Sequence, residues 1–401
     1  MLDRLLSKYG YVKAERNKLG EFWYTLSTEG FGKNADYLKW SLENPVLMTI
    51  IALRAKIYSQ MEIKHLDSNG VVIENSPVVK LLNTPNYFQS REDFLFQQMW
   101  FMSACGQNYT YKIKTFRGEL PKALFNLVPS EIDLNKTDKV KKFIFTKSDF
   151  QAYGQREIIY KLDDEKTKIR LENIIPFYDL ANGIGNNKFM TSPSRVQGIE
   201  KVLQNIDENL KAKHVNLQMS QKFLGKNASD GNEAQLLDED KKLIERTISN
   251  RNFIATNRAN MDVTHLVSDL KRLYLDEQFS QDALKSLLAF DMNKDVLNYF
   301  GAGSSTFENQ EKGELRYLQN SIIPTAKATM NSFAQDFGLF ELGEKLVPSY
   351  DHLNIMQPVI NEKIDTLKKM EEVIKLGLEN GTMTPDEAQK MSKDLRTKLM
   401  L

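Results

Sequence analysis

Cysteine is nearly absent from the sequence, since Cys105 is the only one in 401 residues. One cysteine cannot build a disulfide framework, or a zinc site of several thiolates, within the chain. Long apolar runs are absent too, because the longest, Pro45 to Leu53, is interrupted at once by Arg54 and Lys56. A membrane-spanning helix needs about 20 apolar residues. With no apolar signal-peptide core after Met1, we expect synthesis inside the cell and no membrane segment.

The sequence also lacks an excess of either charge. Its 54 Lys and Arg side chains nearly cancel its 53 Asp and Glu side chains, which leaves a net charge of +1 at pH 7. Proteins that bind nucleic acid tightly usually have more basic than acidic residues, because much of their affinity comes from neutralising phosphates. The monomer is therefore not expected to bind DNA tightly, although DNA could still pass through an assembly of such chains.

Motifs for catalysis, nucleotides and metals are missing as well. The 4 histidines are scattered and include no H-E-x-x-H pair, and the stretch from Gly183 to Lys188 lacks the last glycine of a dinucleotide fingerprint. No glycine-rich phosphate loop precedes Gly225-Lys226 at the required spacing. These absences predict a protein without enzymatic activity, cofactor or metal.

The first half of the sequence alternates strand patterns with helices. Asn44-Pro45 predicts a helix start, and Arg91 to Ala104 predicts a buried helix that ends at Gly106. Asn69-Gly70 predicts a β-hairpin turn. Strands are predicted near residues 108–114, 123–128, 157–162 and 169–175. Residues 1 to about 40 show no clear period and are expected to form an arm, so the whole segment is predicted to be a mixed α+β unit.

Two amphipathic helices are predicted in the middle of the chain. The first carries an apolar seam at three- and four-residue spacing, which consists of Val196, Ile199, Leu203, Ile206 and Leu210. Its roughly 25 residues correspond to a length of about 37 Å. The second is predicted from Glu277 to Val296. A small α/β insert is predicted between the two, with a helix at 238–249 and strands at 252–256 and 261–267. The seam could be core packing within one subunit or packing between neighbouring subunits.

A loop and a long helix follow the second amphipathic helix. The loop, Gly301-Ala302-Gly303-Ser304-Ser305, has backbone freedom from its glycines and could be only a surface linker. A capping box from Ser305 to Glu308 predicts the start of a helix that reaches about Phe337. Pro324 lies inside this helix and is expected to kink it. A helical hairpin is predicted from about Val359, with a second capping box at Thr384 to Glu387.

Six short segments, taken in order, resemble the portal protein family, the head–tail connectors of tailed bacteriophages. They are Leu81–Asn86, Gly106–Ile113, Leu124–Ser130, Met190–Arg195, Ser305–Glu311 with Ile323-Pro324, and Gly377–Ala388. The fourth departs from the family pattern, because Met190 stands where the family has glycine and Ser194 where it has leucine. Each segment alone is a weak signal, and their common order makes the resemblance specific.

The resemblance implies a portal-type subunit of the α+β class that assembles into a ring, usually a dodecamer. It implies an α/β wing at residues 1–193, a two-helix stem at 194–220 and 270–297, and a small α/β clip at 221–269. A tunnel loop is implied at 298–307, a long kinked helix that returns to the wing at 308–356, and a short helical crown at 357–401.

The function implied by the resemblance is a non-enzymatic channel for double-stranded DNA at a unique capsid vertex of a virion, made in the bacterial host cytoplasm. Its implied partners are the large terminase, the major capsid protein, and head-completion, adaptor and tail proteins. Residues 301–305 would constrict the channel. Partner docking is expected at a charged group in the clip, formed by Asp238, Glu239, Asp240, Lys241 and Lys242. The alternatives are another oligomeric adaptor ring, or a phage DNA-processing or head-maturation enzyme.

Overall fold

The structure is a computed structural model that describes residues 30–114, 120–134, 154–162, 165–184, 190–219, 275–295 and 307–400, and short strands at 11–13, 23–25, 223–227 and 261–265. Contacts within the chain divide it into two compact units. The first comprises residues 1–198, 287–298 and 303–401, and the second comprises residues 199–286 and 299–302.

Helices dominate the described residues. They are α1 (Gly30–Glu43), α2 (Pro45–Ser59), α3 (Pro77–Asn83), α4 (Arg91–Cys105), α5 (Arg195–Gly198), α6 (Glu200–Met219), α7 (Leu275–Ala289), α8 (Phe307–Tyr317), α9 (Ile323–Asp336), α10 (Gln357–Glu379) and α11 (Pro385–Met400). A π-helical turn, Leu318–Ile322, joins α8 to α9. The predicted long helix is therefore present, and Pro324 is the second residue of α9.

The strands form small antiparallel sheets. They are β1 (Tyr11–Lys13), β2 (Trp23–Thr25), β3 (Glu62–Leu66), β4 (Gln107–Ile113), β5 (Ala123–Leu127), β6 (Ile132–Asp133), β7 (Glu157–Leu162), β8 (Glu165–Arg170), β9 (Ile174–Tyr178), β10 (Phe223–Asn227), β11 (Met261–His265) and β12 (Lys345–Ser349). The strand orders are β1-β2, β12-β3, β5-β4-β9, β6-β7-β8 and β10-β11.

Local sequence signals fix the ends of the helices in the first unit. The side chain of Asn44 accepts a hydrogen bond from the backbone N–H of Leu47 at 3.0 Å, and Pro45 takes the first helical position of α2. Ser90 and Asp93 form a reciprocal capping box at the start of α4. The second predicted capping box is also present, because Glu387 accepts hydrogen bonds from both the N–H and the hydroxyl of Thr384.

The core of the first unit forms where α2 packs on α4 and where β4 lies between β5 and β9. Leu47, Ile50 and Ile51 of α2 are fully buried. The chain after β9 returns to this core, since Ser192 donates its N–H to Gln107 at 3.0 Å and the hydroxyl of Ser194 donates to the carbonyl of Ala104 at 2.6 Å. The Met190–Arg195 segment is thus held against the junction of α4 and β4.

Gly106 makes that junction possible. It ends α4 with a φ of +78°, and a Cβ atom there would lie 2.5 Å from the carbonyl oxygen of Pro193. Gly70 offers a matched comparison, because its φ is +80° but a Cβ atom would meet nothing within 4 Å.

We expect Gly106→Ala to be far more destabilising than Gly70→Ala. Both changes carry the left-handed backbone penalty of about 1–2 kcal/mol. Only Gly106→Ala also drives a methyl group into backbone atoms, so its loss in free energy of unfolding should reach about 3 kcal/mol or more. Urea denaturation of both variants measures the difference, and equal losses would show that the close approach of Pro193 is unimportant.

Three predictions from the sequence are wrong in detail. Residues 30–43 form α1, whereas the whole segment up to about residue 40 was expected to be an arm. The sequence of α1 has no regular apolar stripe that would predict a helix, although its Tyr37 is buried. The single strand predicted at 169–175 is two strands separated by a 3-10 turn, Leu171–Asn173. The helix predicted to reach Val296 ends at Ala289, because Asp291 adopts a φ of +60° that no α-helix accommodates.

In the second unit, β10 and β11 pair antiparallel with Phe223 opposite His265 and Asn227 opposite Met261. The sequence predicts a strand at 261–267 and misses its partner at 223–227. The helix of the insert predicted at 238–249 lies outside the described residues.

Candidate functional site

The apolar seam predicted in the first amphipathic helix is largely buried within a single chain. Val196 belongs to the first unit and is fully buried, and Ile199, Leu203 and Ile206 of the second unit are 7%, 1% and 0% exposed. Leu210 is 37% exposed. Packing inside the subunit therefore accounts for four of the seam residues, and Leu210 is the member left accessible for a neighbour. Contact of the seam with another subunit stays a prediction.

Other predicted site residues divide into two groups. The tunnel-loop residues 301–305 and the clip residues 238–242 lie outside the described residues, so their roles stay predictions. Pro324 is described and exposed, and only Ile323 separates it from the π-helical turn. Because proline has no N–H to donate, the carbonyl four residues earlier loses its usual partner, and the wider turn accommodates that loss.

A chain of charged side chains, which no sequence motif predicted, joins five segments of the first unit, and it runs from the fully buried Arg54 and Asp179 to the half-exposed Asp291. The guanidinium of Arg54 on α2 donates to both carboxylate oxygens of Asp179, which follows β9, and both side chains are 0% exposed. Arg195 at the start of α5 donates from Nε to Asp179 at 2.7 Å. Its Nη1 lies 2.9 Å from a carboxylate oxygen of Asp291, and Ser321 in the π-helical turn donates to the same oxygen at 3.3 Å.

The electrostatic interactions in this cluster favour the charged forms of Asp179 and Arg54. Burial by itself would raise the pKa of Asp179, but Arg54 and Arg195 outweigh it and hold that pKa below its ordinary value. Burial also opposes the charge of Arg54, and Asp179 is the main group that keeps the pKa of Arg54 raised. Each charge therefore depends on its partner to remain in a dry interior.

Tyr317 lies at the same place, on the last turn of α8. Burial raises its pKa, and the four charged side chains of the cluster act on it. Its hydroxyl is buried and finds no hydrogen-bond partner among the described residues. The group links segments that are distant in the sequence, so its arrangement suits a structural joint in which α2, α5, the end of α7 and the π-helical turn are held to one another.

A second buried ion pair ties the β5-β4-β9 sheet to the long helix. Lys112 of β4 is 3% exposed, and its Nζ lies 2.6 and 2.7 Å from the two carboxylate oxygens of Asp336 at the end of α9. Burial lowers the pKa of Lys112, and Asp336 opposes that change. The one sequence signal for these buried charges was Arg54, which interrupts the apolar run of α2.

The described residues meet the requirements of neither a metal site nor a membrane-spanning helix. Across the described ranges, no group of three or more His, Cys, Asp or Glu side chains is arranged to hold a metal ion. Within the same part of the chain, no helix is both long enough and apolar enough to cross a membrane.

The fold has counterparts among solved structures, although the sequence matches no protein-family model and no curated protein. A chain in the neck of a native gene transfer agent (GTA) particle, computed with C12 symmetry, gives a TM-score of 0.60 at 13% identity, over 89% of this chain and 93% of that chain. A chain in the neck of an empty GTA particle computed with C6 symmetry gives 0.62 at 14% identity, over 83% and 89%. An HK97-family phage portal protein from Corynebacterium diphtheriae gives 0.49 at 9% identity, over 79% and 94%.

At these identities the similarity to the GTA neck chains shows a shared fold. The described residues consist mainly of helices with small sheets, and the similarity extends over most of both chains. The α+β class predicted from the sequence is therefore confirmed.

Proposed function

We propose that this chain is a portal subunit, which assembles into a ring at one vertex of a phage-like capsid and forms a channel for double-stranded DNA. The observation that carries the proposal is the shared fold with a neck chain of a particle computed with C12 symmetry, over 89% of this chain. The order of six portal-like sequence segments supports the same function independently. The chain itself would be non-enzymatic, and a separate terminase would supply the energy for packaging.

Apolar side chains at the surface of the isolated chain support assembly. Tyr87 and Phe88, which precede α4, are essentially fully exposed, and Leu288 near the end of α7 is 67% exposed. In the α10–α11 hairpin, Val373 and Leu376 are 63% and 55% exposed. Soluble monomers tend not to expose groups of large apolar side chains, so such residues are typical of surfaces that a neighbour covers.

A nearly neutral chain suits a conduit. A strongly basic channel would hold the phosphates of a duplex tightly, and each tight contact would resist movement of the DNA. The proposed ring therefore needs weak contacts of mixed sign, which a net charge of +1 allows. The charged group at 238–242 would serve the terminase or an adaptor, and the capsid protein and tail proteins would contact other surfaces.

Variants of the loop at 301–305 can test the proposed channel function. Its glycines give it backbone freedom, and we propose that it adjusts to the duplex at the narrowest level of the channel. Changing both Gly301 and Gly303 to proline should stiffen the loop, so rings should still form but package markedly less DNA in an in vitro packaging assay. A double change of the same glycines to alanine, which restricts the backbone less, serves as the control and should package more DNA than the proline variant.

Normal packaging by the proline variant would remove the channel role from this loop. An adaptor ring, the nearest alternative, would form rings that bind preassembled heads without supporting packaging. An enzyme of DNA processing would remain monomeric and would alter DNA or capsid protein directly.

A further inference from the structure

A groove of mixed apolar and basic character crosses the first unit beside α9. It consists of two adjoining cavities of about 590 and 340 Å³. Both are lined by Leu66, Gly70, Lys327, Val347 and Pro348, so they form one continuous depression. None of the segments predicted to form the tunnel, the stem seam or the clip contributes to it.

Three elements build this groove. The β12-β3 sheet contributes residues of both strands, among them Val347 and Lys64, which pair opposite each other, and Val72 beside the sheet bridges to Leu66. Helix α9 and the turn before it contribute a stripe at four-residue spacing, formed by Gln319, Ile323, Lys327 and Asn331. The start of α10 contributes Val359 and Lys363. The stripe from Gln319 to Asn331 covers about 18 Å, which is enough for about five residues of extended chain.

The groove has more positive than negative charge. Four lysines line it, namely Lys64, Lys327, Lys345 and Lys363, and the carboxylates that line it are Asp67 and Asp351. Asp67 accepts the backbone N–H groups of Asn69 and Val71 at 2.8 Å. Asp351 accepts from Ser349 at 2.7 Å and from Lys64 at 3.2 Å.

Both carboxylates are thus already engaged. A hydrogen bond from Ser349, with help from Lys64 and Lys363, keeps the pKa of Asp351 below its ordinary value, so it stays ionised and holds Lys64. Lys327 and Lys345 are exposed and make no ion pair within the described part of the chain. The ammonium groups of these two lysines therefore have no carboxylate partner among the described residues, and they lie beside the apolar residues that line the groove.

We propose that this groove binds an extended peptide segment of another protein, in which acidic side chains alternate with apolar ones. The apolar lining, which includes Ile323, Val347 and Val359, would take the apolar side chains. The lysines would pair with the carboxylates at the rim. A DNA duplex fits less well, because its convex surface and evenly spaced phosphates call for protruding cations and leave an apolar depression unfilled. The groove thus goes beyond the proposed ring, and in a ring it would serve a further virion protein.

The test measures peptide binding to the full chain by fluorescence anisotropy at low and moderate salt. The probe is a fluorescein-labelled Asp-Leu-Asp-Val-Asp-Leu peptide, and its counterpart carries lysine in place of each aspartate. We expect the acidic probe to bind and the basic probe not to bind. The double variant Lys327→Glu with Lys363→Glu should weaken binding of the acidic probe by about tenfold or more. Lys327→Arg should keep it.

Lys390→Glu is the matched control, because Lys390 is exposed on α11 and does not line the groove. It makes the same substitution as at each position of the double variant, with half of its total charge change, and should leave binding of the acidic probe unchanged. Thermal unfolding of every variant checks that the fold is intact, as expected for exposed side chains.

Four results of the binding measurements would overturn the proposal. They are no binding of the acidic probe, equal binding of both probes, no effect of the double variant, and displacement of the probe by a 30-base-pair duplex, which would assign the groove to DNA. If the double variant instead changes the oligomeric state measured by light scattering, the groove is a contact between copies of this chain. That outcome overturns the peptide proposal and leaves the proposed ring standing.

Discussion

Asp179→Ala is expected to lower the free energy of unfolding by about 3–5 kcal/mol, because it leaves the fully buried guanidinium of Arg54 without its carboxylate and removes one of the two carboxylates that Arg195 contacts. Arg54 is the more severe case, since its side chain is 0% exposed and its Nε already lacks a partner among the described residues. Urea denaturation of the purified chain measures the loss. This loss measures the cost of leaving a buried charge unpaired. It does not measure the net contribution of the ion pairs to stability.

Asp351→Ala is the matched control for this experiment. It also removes a carboxylate from an ion pair of the first unit, but Asp351 and its partner Lys64 are 52% and 40% exposed. Water screens such a pair, so its loss should cost about 1 kcal/mol or less. Equal losses for the two variants would show that burial of the Asp179 cluster does not matter to stability.

The pH dependence follows from the direction of the pKa shift. The pKa of Asp179 in the folded protein lies below the ordinary value of 3.8, so its ionised form stabilises the fold above that value. That contribution is lost as the pH falls through the folded pKa. The destabilisation caused by Asp179→Ala should therefore be full near neutral pH and shrink in acid below about pH 4. A loss that is constant with pH would contradict this account.

Leu210→Glu is expected to abolish ring assembly while leaving the subunit folded. Leu210 is 37% exposed in the single chain, so a carboxylate there can remain in water when the chain is a monomer. In a ring the same carboxylate would be buried against a neighbour without a partner, at a cost of several kcal/mol at every interface. Size-exclusion chromatography with light scattering should show monomers with a normal unfolding transition.

Two further variants, one at a buried position and one at an exposed position, serve as comparisons for Leu210→Glu. Leu203→Asp places a charge at a position that is 1% exposed within the chain, so it should unfold the subunit and cannot report on assembly alone. Asn205→Glu adds the same charge as Leu210→Glu at an exposed polar position on the opposite side of α6, and it should still form rings. If Leu210→Glu formed rings as readily as Asn205→Glu, the stem seam would have no role between subunits.

The sequence predicted the elements whose signals are local. Asn44 and the Thr384–Glu387 box begin their helices through hydrogen bonds between residues three positions apart. Gly106 ends α4 through its own positive φ. Interactions between distant segments left no comparable signal. Residues 54 and 179 are 125 positions apart, and nothing in the spacing of either residue indicates the other.

Strand pairing shows the same limit. The sequence assigned β3 to a hairpin with the segment after Gly70, and the structure confirms only a single bridge there, between Leu66 and Val72. The main partner of β3 is β12, near the far end of the chain, with Lys345 opposite Leu66. Short strands of mixed polarity do not specify their partners, because the partner is chosen by tertiary packing. The groove beside this sheet could not be predicted for the same reason.

As a portal subunit, the chain would form a ring around a channel for DNA. Negative-stain electron microscopy of the purified, full-length protein tests it most directly, with light scattering to give the mass of the particles. We expect ring-shaped particles of uniform size whose central hole is about as wide as a DNA duplex, with a mass near twelve chains. Compact monomers, or oligomers without a central hole, at every concentration tested would contradict the account.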